Sequence, residues 1–245
     1  MITKTQNLTH DRVIHQYRGK TSNIYIIEDK RQNATFLIDC GMPSDSKALI
    51  DILHPLQPLK RIVCTHFHVD HVSGWINLRH VFKDCQILMH EKAKPFVTGK
   101  KRIPYPSLAD YIAILLPCMK EYGYCPGVKD LISGGLYGTP FKKGFPLDRL
   151  IFFSDKEEVL PGFITIPTPG HRPDSVSFFD PDSGILVTGD FIVVIKDKLV
   201  NNTFVASRKD QEDSIIKIKN MPGIKYIYPG HGHCRLFDIN ELVPL

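Results

Sequence analysis

The sequence lacks the cysteine patterns of disulfide scaffolds and zinc fingers. Its six cysteines stand singly at positions 40, 64, 85, 118, 125 and 234, and no two form a CxxC pair. Several lie inside apolar runs, where a free thiol is usually buried. We therefore expect reduced cysteines in a reducing compartment and no metal site built from cysteine.

Long apolar segments are also absent. No stretch approaches the roughly 20 apolar residues that cross a bilayer. The first residues, "MITKTQNLTHDR", contain no apolar core of a signal peptide. We expect a cytoplasmic protein without a secretory signal or a membrane anchor.

Charge of one sign is not concentrated anywhere. The formal net charge is +5, and the basic residues are scattered apart from short clusters such as "GKKR" at positions 99–102. A solvated face is the ordinary role of such a cluster. We expect no nucleic-acid partner and a small molecule as the substrate, and we leave open whether the chain forms a homodimer.

Short apolar runs that alternate with helical patterns are abundant. "SNIYIIED", "ATFLIDCG", "LKRIVCT", "CQILMH", "RLIFFS", "GFITIPTPG", "SVSFFD", "GILVTGD", "FIVVI" and "IKYIYPGHG" predict strands, and "SDSKALIDILHPL" and "RKDQEDSIIKIKNM" predict helices. Ser73 is expected to cap a helix through "GWINLRHVF". These patterns predict an α/β fold.

A segment at about 96–149 differs from both flanking halves because it is rich in Pro, Gly, Tyr and Phe. "LADYIAILLPCMKEY" within it predicts a helix that Pro117 kinks or ends. Long irregular segments inside compact folds are usually lids or binding loops. We predict one domain over residues 1–245 with a lid or substrate-binding loop inserted at about 96–149.

The stretch "RIVCTHFHVDHVSGW" carries the clearest chemistry. His66 and His68 are two residues apart, so on an extended backbone they point the same way, and Asp70 and His71 follow as the chain turns. Imidazole and carboxylate groups bind Zn²⁺ and other divalent metals. Four such ligands from one loop are more than a single catalytic metal needs, which suggests two metals.

Three later strand ends repeat the same layout of apolar run, turn residue and ligand type. His171 follows "IPTPG", Asp190 ends "GILVTGD", and His231 follows "YIYPG". Ligands commonly gather at the carboxyl ends of strands in α/β sheets. The pattern therefore predicts that these three residues join the first four. His233 is expected to be a neighbour rather than a ligand.

The ordered motifs "THFHVDH", "TPGH", "TGD" and "PGHG" resemble those of the metallo-β-lactamase-fold hydrolase superfamily, which includes glyoxalase II-like enzymes and lactonases. "TFLIDCGMP" is similar to that family's early strand ending in Asp-x-Gly. The resemblance covers nearly the whole chain outside the insertion. It implies a four-layer αββα sandwich of two mixed β-sheets with helices on the outer faces.

The resemblance also implies roles for the ligand residues. His66, His68 and His171 would hold one divalent metal, Asp70, His71 and His231 a second, and Asp190 would bridge them. Zinc is expected, with iron or manganese as alternatives. A hydroxide between the metals would be the nucleophile, and Asp70 would orient it and pass a proton to the leaving group.

Two further residues have alternative roles. Asp39 either accepts a hydrogen bond from a ligand histidine or is a turn aspartate before Gly41. Arg172, in "HRPDS" where the family usually has small residues, either reaches the substrate together with Asp174 or belongs to a solvated turn.

The substrate is less defined than the site. Lactonases of the family carry a tyrosine soon after the bridging aspartate, but "GDFIVVIK" has none. A tyrosine of the insertion is a candidate substitute: Tyr105, Tyr111, Tyr122, Tyr124 or Tyr137. Basic residues of the insertion either face an anionic end of the substrate or are solvated: Lys100, Lys101, Arg102, Lys142, Lys143 and Arg149.

The sequence thus predicts a metallo-hydrolase that cleaves an ester, thioester or lactone bond of a small molecule. The alternatives are a mononuclear iron enzyme similar to persulfide dioxygenases, a phosphodiesterase of the same superfamily, and a non-catalytic scaffold. The complete set of ligand types argues against the scaffold.

Overall fold

The protein is described by a computed structural model, which covers residues 1–102, 107–125, 127–128, 130, 144–155 and 157–242. Strands dominate both halves of the chain. They are β1 Ile2–Asn7, β2 Arg12–Arg18, β3 Asn23–Asp29, β4 Ala34–Ile38, β5 Leu59–Val63, β6 Gln86–His90, β7 Leu150–Phe153, β8 Ile164–Pro167, β9 Val176–Asp180, β10 Ile185–Gly189, β11 Ile192–Ile195, β12 Lys198–Asn201, β13 Tyr226–Pro229 and β14 Arg235–Leu236.

The helices are mostly short. They are α1 Ser46–Leu53, α2 Val69–Val72, α3 Trp75–Val81, α4 Lys94–Val97, α5 Leu108–Asp110, α6 Leu116–Tyr122 and α7 Arg208–Lys219, with 3₁₀ turns at Pro43–Asp45, Glu91–Ala93 and Ile239–Glu241. No helix among the described residues is long and apolar enough to cross a bilayer.

The strands form two mixed sheets and a small ribbon. The first sheet has the order β1-β2-β3-β4-β5-β6-β7, antiparallel up to β4 and parallel from β4 to β7. The second has the order β14-β13-β10-β9-β8, with β10 and β13 parallel, and β11 and β12 form a two-stranded ribbon. Parallel neighbours place their carboxyl ends at one edge, which is where the candidate site lies.

Alternating side chains explain why the strands are apolar on both faces. In β3, Tyr25 and Ile27 pack between the two sheets, whereas Ile24 and Ile26 pack on the outer face of the first sheet. In β10, Val187 faces the layer between the sheets. A strand buried on both sides needs a continuous apolar run, as the sequence shows.

Helices cover the two outer faces. Leu49 of α1 and Trp75 of α3 pack on the first sheet, and Ile215 and Ile218 of α7 pack on the second. The layers therefore run helix, sheet, sheet, helix, and the predicted αββα sandwich is confirmed.

The helix predicted in the insertion continues through Pro117. Helical structure extends from Leu108 to Tyr122, with a π-helical segment at Tyr111–Leu115 between α5 and α6. Pro117 has no N–H to donate to the carbonyl four residues earlier, and a widened turn before it accommodates this loss. Ile114 and Cys118 pack against Val193 of β11. The extent of the insertion and its role as a lid stay predictions.

One capping prediction is wrong. Gly74, not Ser73, is the N-cap of α3, and Ser73 instead ends the short helix α2. The chain turns directly from α2 into α3 because Gly74 approaches Cys40, where a Cβ on Gly74 would lie 2.0 Å from the Cys40 carbonyl oxygen.

Candidate metal centre

Seven His and Asp side chains predicted from the sequence meet at the carboxyl ends of the strands. They are His66 and His68 after β5, Asp70 and His71 in α2, His171 after β8, Asp190 after β10 and His231 after β13. All except Asp70 are buried. The structure thus brings together residues separated by more than a hundred positions in the sequence.

Glycines allow the strand ends to approach so closely. Gly189 precedes Asp190 with a φ of +52°, which is a left-handed conformation. A Cβ at Gly230 would lie 2.2 Å from Asp190 Oδ1, so a larger residue there would displace the carboxylate. These positions explain the "TGD" and "PGHG" patterns.

Four of the residues form a first group of donor atoms. His68 Nδ1 lies 3.0 Å from both His66 Nε2 and His171 Nε2. Asp190 Oδ2 lies 3.8 Å from His66 Nε2 and 3.6 Å from His171 Nε2. We call His66, His68 and His171 the three-histidine group, and Asp190 lies beside it.

The other three residues form a second group, the Asp70 group. Asp70 Oδ2 lies 3.7 Å from His71 Nε2 and 3.5 Å from His231 Nε2. Asp190 also reaches this group, because Oδ1 is 3.2 Å from His71 Nε2 and Oδ2 is 3.2 Å from His231 Nε2. One carboxylate thus lies between the two groups.

Hydrogen bonds to Asp39 fix the proton positions of two ligand-type histidines. His71 Nδ1 lies 2.8 Å from Asp39 Oδ2, so this nitrogen carries the proton. The Thr65 hydroxyl donates to Asp39 at 2.9 Å and must therefore accept from His66 Nδ1, at 3.0 Å. With the proton on Nδ1, each ring presents Nε2 to the cluster, where a neutral ring offers a lone pair.

His171 is oriented in the same way by a backbone group. Its Nδ1 donates to the Phe204 carbonyl at 2.5 Å, which leaves the lone pair on Nε2. Three imidazoles are therefore set up as donors towards the centre of the cluster, and the side chain of Phe204 stacks on His68 with a centroid distance of 5.8 Å.

The two groups differ in proton affinity. Burial lowers the pKa of His66 and His68 well below the ordinary value, and neighbouring imidazoles add to this effect. Burial also lowers the pKa of His171. These rings are therefore neutral near pH 7 and available as ligands.

Carboxylates dominate in the Asp70 group. Burial opposes the charged form of His71, but Asp190, Asp70 and Asp39 outweigh it and hold the pKa well above its ordinary value. For His231 burial is likewise outweighed by Asp190, and the pKa is raised. Burial disfavours the charged form of Asp190, yet His231 and His71 hold its pKa well below the usual range.

The donor set fits divalent metal ions. His71 Nε2 and Asp190 Oδ1 are buried and face each other at 3.2 Å, but neither makes a hydrogen bond to any described residue. Buried polar atoms without partners are rare, and a bound ion is one common explanation. Nitrogen and carboxylate donors in this arrangement suit zinc, iron or manganese.

The two residues with alternative roles are now placed. Asp39, with a φ of +62°, accepts hydrogen bonds from the Thr65 amide and hydroxyl and faces His71. Arg172 does not lie in a solvated turn, because it is 1 % exposed and its guanidinium lies 4.0 Å from the centre of the Phe96 ring. Its Nε is 3.5 Å from Asp174, whose other oxygen accepts from the Phe67 amide.

The candidate tyrosines of the insertion separate into two sets. Tyr105, Tyr137 and the side chain of Tyr111 lie outside the described residues. Tyr124 packs edge-on against His231, with ring centroids 5.7 Å apart. Tyr122 contacts His233 instead, its hydroxyl 3.2 Å from Nδ1.

One basic residue of the insertion, Arg149, has a structural role. Arg149 donates to the backbone carbonyls of Arg79 and Phe82 and lies over the Trp75 ring. Lys100, Lys101 and Arg102 are exposed, and Lys142 and Lys143 lie outside the described residues.

Sequence reasoning missed Thr65 and Phe204, and it included Tyr124 only as one of five tyrosines that could reach the substrate. Thr65 and Phe204 fix the proton on His66 and His171, and Tyr124 packs on His231. Thr65 is next to His66 in the sequence and could have been predicted as a hydrogen-bond partner. Phe204 and Tyr124 carry no local signal, because only the fold brings them to the site.

A buried cluster of imidazoles and carboxylates at the strand ends of an αββα sandwich defines a class of metal-binding α/β proteins. The sequence profile described as the metallo-beta-lactamase superfamily matches residues 17–231, which is most of the 245-residue chain. The chain belongs to this superfamily.

Related proteins agree with this assignment. The "Probable metallo-hydrolase YflN" of Bacillus subtilis (strain 168) is 24 % identical over 240 residues, which covers 89 % of this chain and 83 % of that protein. An archaeal superfamily protein, ST1585 from Sulfolobus tokodaii, superposes with a TM-score of 0.61 at 20 % identity, covering 91 % of this chain and 81 % of the other.

A second solved structure, TTHA1623 in a di-iron-bound form, superposes with a TM-score of 0.56 at 22 % identity. The match covers 88 % of this chain and 89 % of that one. These structural likenesses establish the shared fold.

Proposed function

We propose that the protein is a hydrolase that uses two divalent metal ions, with zinc as the expected metal, to cleave an ester, thioester or lactone bond of a small molecule. His66, His68 and His171 would hold one ion and Asp70, His71 and His231 the other. Asp190 would contact both.

The position of Asp190 carries this proposal. Its two oxygens lie 3.2 Å from His71 and His231 of the Asp70 group, and Oδ2 lies 3.6 Å from His171 of the three-histidine group. A carboxylate shared by two sets of imidazoles is the arrangement expected where two cations are held side by side. A single cation would leave one set of buried donors without a partner.

The ions, when bound, would supply Lewis acidity and lower the pKa of nearby water. The side chain of Asp70 is 21 % exposed, whereas the other six residues are buried. A carboxylate at the solvent side of the centre can accept a proton from attacking water and return it to the leaving group. This is the role we assign to Asp70.

Aromatic side chains near the centre support a small, partly apolar substrate. The Phe204 ring stacks on His68. Binding pockets for small molecules are mostly apolar with a few oriented polar groups. An anionic substrate end near the basic residues of the insertion remains part of the proposal.

The test is hydrolysis by protein loaded with zinc, manganese or iron. The substrates are lactones, thioesters, esters, phosphodiesters and a β-lactam. We expect turnover of one of the first three classes and loss of turnover in His68→Ala. The exposed His80 provides the matched control, His80→Ala, which should retain full activity.

Two results would contradict the proposal. Turnover of the phosphodiester alone would identify a phosphodiesterase of the same superfamily. One iron per chain, with oxygen consumed on a persulfide, would identify an enzyme similar to persulfide dioxygenases.

A further inference from the structure

His231 differs from His66, His71 and His171 in how its ring is oriented, and it shares this difference with His68, whose outward Nε2 also has no hydrogen-bond partner among the described residues. His66, His71 and His171 each have a hydrogen-bond partner on the ring nitrogen that faces away from the cluster. The corresponding atom of His231, Nδ1, is buried and has no such partner among the described residues. Its Nε2 lies 3.2 Å from Asp190 Oδ2, so, on the opposite side of the ring, packing and not a hydrogen bond to a described residue must hold its orientation.

Tyr124 is in the position to do so. Its ring meets the His231 ring edge-on, at 5.7 Å between centroids and 89° between planes. Tyr124 is 2 % exposed, so this packing is inside the protein. An aromatic ring buried against an imidazole restricts the rotation of that imidazole.

The hydroxyl of Tyr124 also holds the loop that carries His231. It accepts a hydrogen bond from the Gly232 amide at 3.1 Å and donates to Asn23 Oδ1 at 2.9 Å. Asn23 in turn donates from Nδ2 to the carbonyls of Pro229 and Gly232, at 2.8 and 2.6 Å. The residues on both sides of His231 are thus tied through one tyrosine and one asparagine.

The backbone of the loop is sterically confined at Gly232, so it cannot easily rearrange if these contacts are lost. Gly232 has a φ of +102°, and a Cβ there would lie 2.5 Å from the Val194 carbonyl oxygen. The tight turn needs its amide to be satisfied, and Tyr124 is the acceptor.

We propose that Tyr124 is a positioning residue for His231 and hence for the metal of the Asp70 group. The inserted segment that contains Tyr124 would then be part of the metal centre, in addition to any role in covering the substrate. This inference rests on the two-metal site proposed above.

The neighbouring contacts strengthen the link between the insertion and the centre. Tyr124 lies two residues after the end of α6, and α6 packs on β11 through Cys118 and Val193. A shift of this helix would move the Tyr124 ring and hydroxyl together. The Asp70 group would shift with them through His231, whereas the three-histidine group has no described contact with Tyr124.

The experiment is a metal titration of Tyr124→Phe and Tyr124→Leu, with Tyr122→Phe as the matched control. The hydroxyl of Tyr122 contacts His233, which is not in the metal centre. Co²⁺ is the probe, followed by its visible absorption, and Zn²⁺ is titrated against a chelating dye. Thermal melting of the metal-free proteins is measured alongside.

Loss of an outer partner of a metal ligand typically weakens metal binding by about 10- to 100-fold. The second metal equivalent is the one we assign to the Asp70 group. We expect Tyr124→Phe to weaken its binding by about tenfold, because the Gly232 amide loses its acceptor while the ring remains. Tyr124→Leu should weaken it further. The first equivalent and the Tyr122→Phe variant should match the wild type.

Unchanged binding of both equivalents in the Tyr124 variants would overturn the inference. Equal weakening of both equivalents would also overturn it, since that pattern reports general loss of structure. Wild-type protein that binds a single equivalent would refute the two-metal site itself, and this is visible before any variant is compared. Absence of hydrolysis, in contrast, would refute only the proposed reaction.

Discussion

The three-histidine group and the Asp70 group lie side by side but are stabilised differently. The first is fully buried, and its histidines have pKa values lowered by burial. The second contains the partly exposed Asp70, and carboxylates raise the pKa of its two histidines. A neutral, buried set of nitrogens should hold a metal firmly, whereas an acidic, half-open set should exchange both metal and protons more readily.

Asp190 is the element that the two groups share, so its removal should have the largest effect. Asp190→Ala is expected to release both metals and to lower kcat/KM by about 1,000-fold or more, since several kcal/mol of metal-derived stabilisation would be lost. Metal content per chain and turnover measure this. The exposed Asp197 gives the control, Asp197→Ala, and an Asp190→Ala protein that retained either metal at full occupancy would show that Asp190 is not shared.

Removing one histidine from each group should distinguish metal binding at the two groups. His171→Ala is expected to abolish the tightly bound equivalent and His231→Ala the weakly bound one, each with a loss of about 100-fold in kcat/KM. The measurement is a Zn²⁺ titration of each variant. Identical binding curves for the two variants would mean that the groups do not act as separate sites.

Asp39 connects both groups, because it faces His71 directly and His66 through Thr65. Asp39→Asn should weaken metal binding about 10- to 100-fold, more at the Asp70 group than at the other. Asp51, an exposed carboxylate on α1, provides the control Asp51→Asn. Wild-type metal affinity in Asp39→Asn would contradict the role assigned to this hydrogen-bond network.

Acid should empty the two groups at different pH. Metal binding requires deprotonated imidazoles. Because the pKa values of His71 and His231 are raised, protons occupy these rings at a higher pH than they occupy His66, His68 and His171. Metal content measured after dialysis between about pH 8 and 5 should therefore fall in two steps, with the Asp70 group emptied first. A fall of the metal content in a single step would contradict the difference in proton affinity between the two groups.

Much of this architecture could be predicted because each ligand candidate directly follows an apolar strand. The two-sided burial of β3, β4 and β10 produces continuous apolar runs, and the parallel pairing of their neighbours collects the strand ends. The histidine motif and the three later strand ends could therefore be recognised from the sequence alone.

Other features depend on contacts that sequence does not display. The edge strand β1 is largely exposed and polar, so it has no apolar signal. Tyr124 and Phe204 reach the centre only through the fold. The capping error at Ser73 has the same origin, since the close approach of Gly74 to Cys40 decides where α3 begins.

The central claim is that this chain holds two metals that share Asp190. Its most direct test is a crystal structure of metal-loaded protein with anomalous scattering data collected at the metal absorption edge. We expect two peaks about 3.5–4 Å apart. One would lie among His66, His68 and His171 and the other among Asp70, His71 and His231, with Asp190 between them. A single peak, or peaks that leave Asp190 without a metal contact, would contradict it.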